Sequence, residues 1–154
     1  MPFFVKQWVY PICIFAKCVA SCCVPALTAT WRVLLVDDDP LVCDSIRRLL
    51  EFDHHKVTAV ANGNDALALA EKETFDLVIL DYLMPVMKGD KLAAALKQRF
   101  PNLPILMITA DAEKVETSSD KPPCVDLLMA KPFQMEELRQ ALQKIFAKSI
   151  PISK

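Results

Sequence analysis

Past residue 31 the apolar positions alternate between short unbroken runs and longer stripes at helical spacing. Val33, Leu34, Leu35 and Val36 form one such run, with Arg32 before it and three aspartates after it. A run of that length predicts a strand covered on both faces. Pro40 predicts a helix start, because its missing N–H costs nothing in a first turn. Asp39 is the predicted cap. Val42, Ile46, Leu49 and Leu50 make the buried stripe of that helix, with Asp44, Arg47, Arg48 and Glu51 facing outward. Residues 56–60 are a short β-rich run. Residues 61–64 predict a turn, with Asn64 or Asp65 capping the next helix. Ala66, Leu67, Leu69 and Ala70 are that helix's buried face.

Residues 75–80 predict the next strand, ending at Asp81. A turn with Pro85 leads to Gly89 and a helix to about Phe100, with Leu92, Ala93 and Leu96 inward. Residues 105–108 predict a buried strand ending at Thr109. A thin helix is expected over 112–118, and Pro122 and Pro123 end any helical run there. Residues 125–129 predict the last strand. A final helix over about 135–148 buries Leu138, Leu142, Ile145 and Phe146. Five strand and helix units in alternation predict an α/β fold with a parallel sheet covered on both faces. Ligands of such sheets bind beyond the carboxyl ends of the strands.

Composition narrows the picture. The 154 residues are 53% apolar and 24% charged, which excludes wholesale disorder. Lys plus Arg number 18 against 19 Asp plus Glu, with no long basic stripe, which argues against direct nucleic-acid binding. Residues 1–30 differ from the rest. They hold four of the six cysteines (Cys13, Cys18, Cys22 and Cys23), two lysines (Lys6 and Lys17) and no acid. A spanning helix is opposed by Lys17 in mid-span and by Pro11 and Pro25. Val19, Ala20, Ser21 and Cys22 resemble a lipoprotein cleavage box, which would place a lipid on Cys22. The expectation is an apolar extension over 1–30, outside the core, that is a loose tail or sequence upstream of the true start. Membrane association is the second reading. The core domain is expected over 31–150. Cys43 and Cys124 stand apart, so the cysteines form no disulfide framework.

The predicted strand ends carry the polar chemistry. Asp37, Asp38 and Asp39 end the first strand, Asp81 the third, Thr109 the fourth, and Lys131 follows the fifth. Carboxylates held together repel one another and call for a cation. An all-oxygen set favours Mg²⁺ over zinc. Asp81, alone at the end of a central strand, can attack phosphorus to give an acyl phosphate. Lys131, the Thr109 hydroxyl and backbone N–H groups after Asp81 can meet the phosphoryl oxygens. Each residue alone has a structural reading as a cap, a packed hydroxyl or a solvated lysine. Their joint occurrence at successive strand ends points to a site. His54 and His55 are expected at the surface, away from this rim. Met84, Met87, Met107 and Met129 are expected in packing roles.

The residues resemble the receiver domain of two-component response regulators over about 32–148. The matching stretches are 33–40, 61–63, 80–89, 105–110 and 131–133, in order. The resemblance implies a flavodoxin-like sheet in the order 2-1-3-4-5. It implies Asp81 as phospho-acceptor, and Mg²⁺ held by Asp37, Asp38, Asp81 and the Leu83 backbone carbonyl. It also implies Thr109 as the switch hydroxyl, Lys131 as the phosphate contact and a cis Lys131–Pro132 bond. Two departures stand out. Leu128 occupies a switch position that usually holds an aromatic ring, and Cys124–Val125 replaces Gly-Ala. Leu83 and Asp111 fall where the family tunes self-dephosphorylation.

The implied function is phosphoryl acceptance from a histidine kinase or phosphotransfer protein, in the cytoplasm, followed by a changed surface toward a downstream protein. A weak homodimer is compatible with this. The chain is not expected to be an enzyme. No output-domain pattern follows residue 148, so a stand-alone receiver or a fragment of a longer regulator or hybrid kinase is expected. The alternative is an interaction module that works without phosphorylation. A metal-dependent phosphatase would want an acid two residues after Asp81, where Leu83 stands.

Overall fold

The computed structural model describes residues 30–110 and 122–149. The chain runs β1 (Arg32–Val36), α1 (Pro40–Phe52), β2 (Lys56–Val60), α2 (Gly63–Lys72), β3 (Leu77–Asp81), α3 (Gly89–Arg99), β4 (Ile105–Thr109), β5 (Leu127–Ala130) and α4 (Met135–Ser149). The five strands form one parallel sheet, as the sequence pattern predicts, in the order β2-β1-β3-β4-β5, as the resemblance implies. The expected helix over 112–118, and Asp111, lie outside the described residues.

The unbroken apolar strands feed two cores because successive side chains point to opposite faces. Val33, Leu35, Leu77, Ile79, Leu106 and Ile108 meet Ile46 and Leu50 of α1 and Leu138, Leu142, Ile145 and Phe146 of α4. Leu34, Val36, Val78, Leu80, Ile105 and Met107 meet Ala66 and Ala70 of α2 and Leu92, Ala93 and Leu96 of α3. Complete burial of one such large side chain stabilises by about 1.5–3 kcal/mol. Shifting one strand by a single residue would exchange its two faces, so the register is firmly held. Among the described residues no helix is long and apolar enough to cross a membrane.

Local chemistry moves three expected boundaries. The cap of α2 is Asn62, not Asn64 or Asp65. Its extended backbone and its side-chain oxygen, which accepts the Asp65 N–H at 2.9 Å, start the helix at Gly63. Asp65 therefore lies inside the first turn, where its charge suits the helix dipole. β3 starts at Leu77, because Asp76 binds the Arg32 N–H through its carboxylate at 2.8 Å. β5 starts at Leu127, because Asp126 accepts the Ile105 N–H and pairs with Lys97, both at 2.8 Å.

His55 is a larger correction. It is only 4% exposed, whereas the sequence places it at the surface. Its N–H donates to the Leu50 carbonyl at 3.0 Å, which folds the ring under the end of α1. His54 stays exposed, with φ at 65°.

Candidate functional site

The carboxyl ends of β1, β3, β4 and β5 lie side by side, and each delivers one group. Asp37 follows β1 and is 4% exposed. Its Oδ1 accepts the Asp39 N–H at 2.9 Å, and its Oδ2 lies 3.0 Å from Lys131 Nζ. Asp81 ends β3 and is 7% exposed. Its Oδ2 accepts the Leu83 N–H at 2.8 Å, and its Oδ1 lies 2.7 Å from Lys131 Nζ. Thr109 ends β4 and is fully buried. Its carbonyl accepts the Lys131 N–H at 2.7 Å, so the backbone of β4 anchors the lysine beside the two aspartates. The Lys131–Pro132 bond is cis, as the resemblance implies.

The three consecutive aspartates have three different surroundings. Asp37 turns inward. Asp39 caps α1, its carboxylate accepting the Leu41 N–H at 2.9 Å. Asp38 is exposed. Thus the structure joins Asp37, Asp81 and Lys131 directly and sets Thr109 beside them. It leaves Asp38 apart. Leu83 meets Asp81 through its N–H, and its side chain is exposed.

Burial pushes the Asp81 carboxyl above its ordinary pKa, against the opposing pull of Lys131. Burial also works against the charge on Lys131, yet the hydrogen bonds it donates to Asp81 and Asp37 outweigh it and hold its pKa above the ordinary value. Two buried carboxylates therefore share one ammonium. A hard, oxygen-preferring cation suits the excess negative charge, and every side-chain acid here offers oxygen. Among the described residues no three acid, histidine or cysteine side chains already stand in a metal-holding arrangement. Asp37 and Asp81 are in place, and the exposed Asp38 would have to turn inward to join them.

The loop after Asp81 has two features that its sequence only hints at. The Met87 N–H donates to the Pro85 carbonyl at 2.8 Å, closing a three-residue turn around Val86. Val86 has φ at 71°, a strained setting for a β-branched residue. Gly89 is required by space. A Cβ there would strike the Asp81 carbonyl oxygen and lie 3.0 Å from the Tyr82 Cα.

Leu128 is half-buried and pairs in register with Met107, packed on the α2 and α3 side of the sheet. Sequence reading passed over Leu41, which is 77% exposed beside the rim. Its signal was legible: an apolar residue off the buried stripe of α1. With Val42, Leu49, Phe133 and Met135 it lines a groove of about 320 Å³ between α1 and the start of α4.

The family model for the response regulator receiver domain matches residues 33–143. Response regulator MprA of Mycolicibacterium vanbaalenii is 33% identical over 120 residues, which are 78% of this chain and 52% of that protein. The chain thus spans about half the length of the curated relatives it matches. The response regulator TrrA of Thermotoga maritima, solved in complex with Mg²⁺-BeF, is 27% identical with a TM-score of 0.68, over 74% of this chain and 97% of that one. The receiver domain of sensor histidine kinase PA1611 of Pseudomonas aeruginosa, solved with magnesium in its active site cleft, is 29% identical with a TM-score of 0.68, over 77% of this chain and 99% of that one. With its parallel sheet in the order β2-β1-β3-β4-β5 and its acids and lysine gathered at the strand ends, the chain belongs to the response regulator receiver domain family of two-component signalling.

Proposed function

We propose that the chain accepts a phosphoryl group on Asp81 from a phosphohistidine donor, a histidine kinase or a phosphotransfer protein, and uses it to alter a protein-binding surface. The observation that carries this reading is the single Lys131 ammonium set between two buried carboxylates, 2.7 Å from Asp81 and 3.0 Å from Asp37. Asp81 Oδ2 accepts the Leu83 N–H and Oδ1 accepts from Lys131, so attack by Oδ1 requires the lysine to shift from that oxygen to the incoming phosphoryl group. A bond forms from that oxygen to phosphorus while the bond to the donor's imidazole nitrogen breaks, and the electron pair stays on nitrogen. Lys131 then pairs with a phosphoryl oxygen. Mg²⁺ held by Asp37, Asp38, Asp81 and the Leu83 carbonyl would offset the charge on the phosphoryl oxygens, as metal ions do in phosphoryl transfer generally. The Thr109 hydroxyl would donate to a phosphoryl oxygen, drawing β4 inward and changing the cover over Leu128.

The exposed Leu41 and the groove between α1 and α4 support a protein donor, because an apolar surface beside the acceptor suits helix docking. Such a donor would place the chain in the cytoplasm. Receiver domains are signalling modules, and the chain belongs with them rather than with turnover enzymes. Residues 31–150 would be the receiver unit and 1–30 an extension outside it. Trp31 supports that boundary, since its ring stacks on Phe146 of α4.

The test is incubation with acetyl phosphate and Mg²⁺, read by intact mass. A gain of one phosphoryl group is expected, absent in Asp81→Asn and absent when the metal is chelated. Folded protein that gains nothing would overturn the reading in favour of a phosphorylation-independent module, for which Leu128 in place of a ring is the favouring observation.

A further inference from the structure

The end of the sheet opposite Asp81 holds a polar cluster that phosphoryl acceptance does not use. Trp31, just before β1, donates its backbone N–H to His55 Nδ1 at 3.3 Å. The Trp31 carbonyl accepts the Lys56 N–H at 2.8 Å. Its indole ring stacks on Phe146 of α4, with centroids 3.6 Å apart and planes 9° from parallel. Because Nδ1 accepts, the neutral ring carries its proton on Nε2. Among the described residues that Nε2 is buried without a hydrogen-bond partner, as is the Trp31 Nε1. Orphaned buried donors are rare and costly. One end of the His55 ring is therefore held by a single bond, and the other end by none.

We propose that His55 is a proton-operated clasp, which in its neutral form fastens Trp31 against α4 and on protonation releases it. A proton from solvent adds to the Nδ1 lone pair, the pair that now accepts the Trp31 N–H. Both ring nitrogens then donate, the Trp31 N–H faces another N–H, and the cation is almost wholly buried. The ring turns out to water, and Trp31 keeps only the Lys56 bond and the Phe146 stack, which loosens its indole.

The charges around the ring set the balance. On its own loop, Asp53 favours the cation, while His54 opposes it. From α4, Arg139 faces the loop, but its charge is engaged by Asp53 at 2.6 and 2.7 Å. Lys56, the first residue of β2, is exposed and points to solvent. Burial is the largest influence and pushes the His55 pKa below its ordinary value, so the neutral, fastened form holds at neutral pH.

The test uses the full chain with Trp8→Phe, which leaves Trp31 as the sole tryptophan. Its emission is followed from pH 8 to pH 4.5 alongside the His55 ring resonances. The expected result is a red shift that follows uptake of one proton with a midpoint below about 6.5, the ordinary histidine value. The shift should disappear in His55→Asn, whose amide oxygen still accepts the Trp31 N–H, and persist in His54→Asn. An unchanged emission through the window overturns the proposal. So does a shift that survives in His55→Asn. Should that variant fail to fold, the midpoints of the ring resonances and of the emission in the otherwise native chain decide, since unequal midpoints overturn it equally.

Discussion

Lys131 Nζ lies 2.7 Å from Asp81 Oδ1, joining positions 50 residues apart. The same ammonium also serves Asp37, whose side chain is 4% exposed, so the cluster carries one negative charge in excess. Substitutions at its two ends should therefore move stability in opposite directions. Asp81→Asn keeps the shape and removes the excess charge, so its melting temperature in chelator should rise by a few degrees. Lys131→Met leaves two carboxylates buried and unpaired, and should cost about 3–5 kcal/mol. Thermal melting of both proteins checks the pair. A destabilised Asp81→Asn would mean that repulsion does not govern the site.

The two glycines of the chain differ in what surrounds them, and alanine distinguishes them. At Gly89 a Cβ meets backbone, the Asp81 carbonyl oxygen and the Tyr82 Cα, neither of which moves without displacing the site. Gly89→Ala should cost about 2 kcal/mol or more, within the range of overpacked cores. It should also slow phosphoryl uptake at Asp81. At Gly63 the nearest atom is Met87 Sδ at 2.9 Å, the far part of a flexible side chain. Gly63→Ala should cost less than about 1 kcal/mol, since Met87 can turn aside and alanine favours the helix. Urea unfolding of both variants, with phosphodonor uptake measured alongside, gives the comparison.

What could be read before folding depended on range. Strands 33–36 and 105–109 were legible because apolar runs bounded by polar residues have few other uses in a parallel sheet. Asp37, Asp81, Thr109 and Lys131 were legible because each falls where such a run stops. Asp37 and Asp38 looked alike in sequence, yet Asp37 is buried on Lys131 while Asp38 is exposed. Adjacent side chains leave an extended backbone on opposite sides, and no composition signal says which turns inward. His55 was misplaced for a similar reason. Its burial comes from Trp31 and from the Leu50 carbonyl, partners that a local reading of Phe52, Asp53 and His54 does not contain. The strained turn at Val86 had even less signal, since valine is a poor choice for positive φ.

The Asp53–Arg139 pair ties the end of α1 to α4 through two hydrogen bonds of 2.6 and 2.7 Å. Its side chains are 17% and 26% exposed, so solvent weakens it only in part. The Arg139 hydrogen bonds hold the Asp53 carboxyl below the usual carboxylate range. A depressed folded value means stability that is complete above the unfolded value of about 3.9 and is lost as pH falls through the folded value. Arg139→Gln should therefore be less stable than the parent by about 1–2 kcal/mol at pH 7. The gap should narrow steadily below about pH 4 as Asp53 protonates. Denaturant unfolding at several pH values measures it, and a gap that widens in acid would contradict the ion-pair account.

Thr109 separates accepting the phosphoryl group from responding to it. Its side chain is fully buried, and its carbonyl holds the Lys131 N–H whatever the side chain is. Thr109→Ala therefore leaves Asp81 and Lys131 in place, and uptake from acetyl phosphate should stay within about threefold of the parent, a change of less than about 1 kcal/mol in barrier. The hydroxyl is what would draw β4 toward the phosphoryl group, and alanine has none. Phosphodonor-induced change in amide exchange over β5, where Leu128 pairs with Met107, should be lost in Thr109→Ala and restored in Thr109→Ser. Serine keeps the donor while dropping only a methyl group. An alanine variant whose β5 responds like the parent's would show that the signal leaves Asp81 by another route, with the loop through Leu83 and Val86 the next place to look.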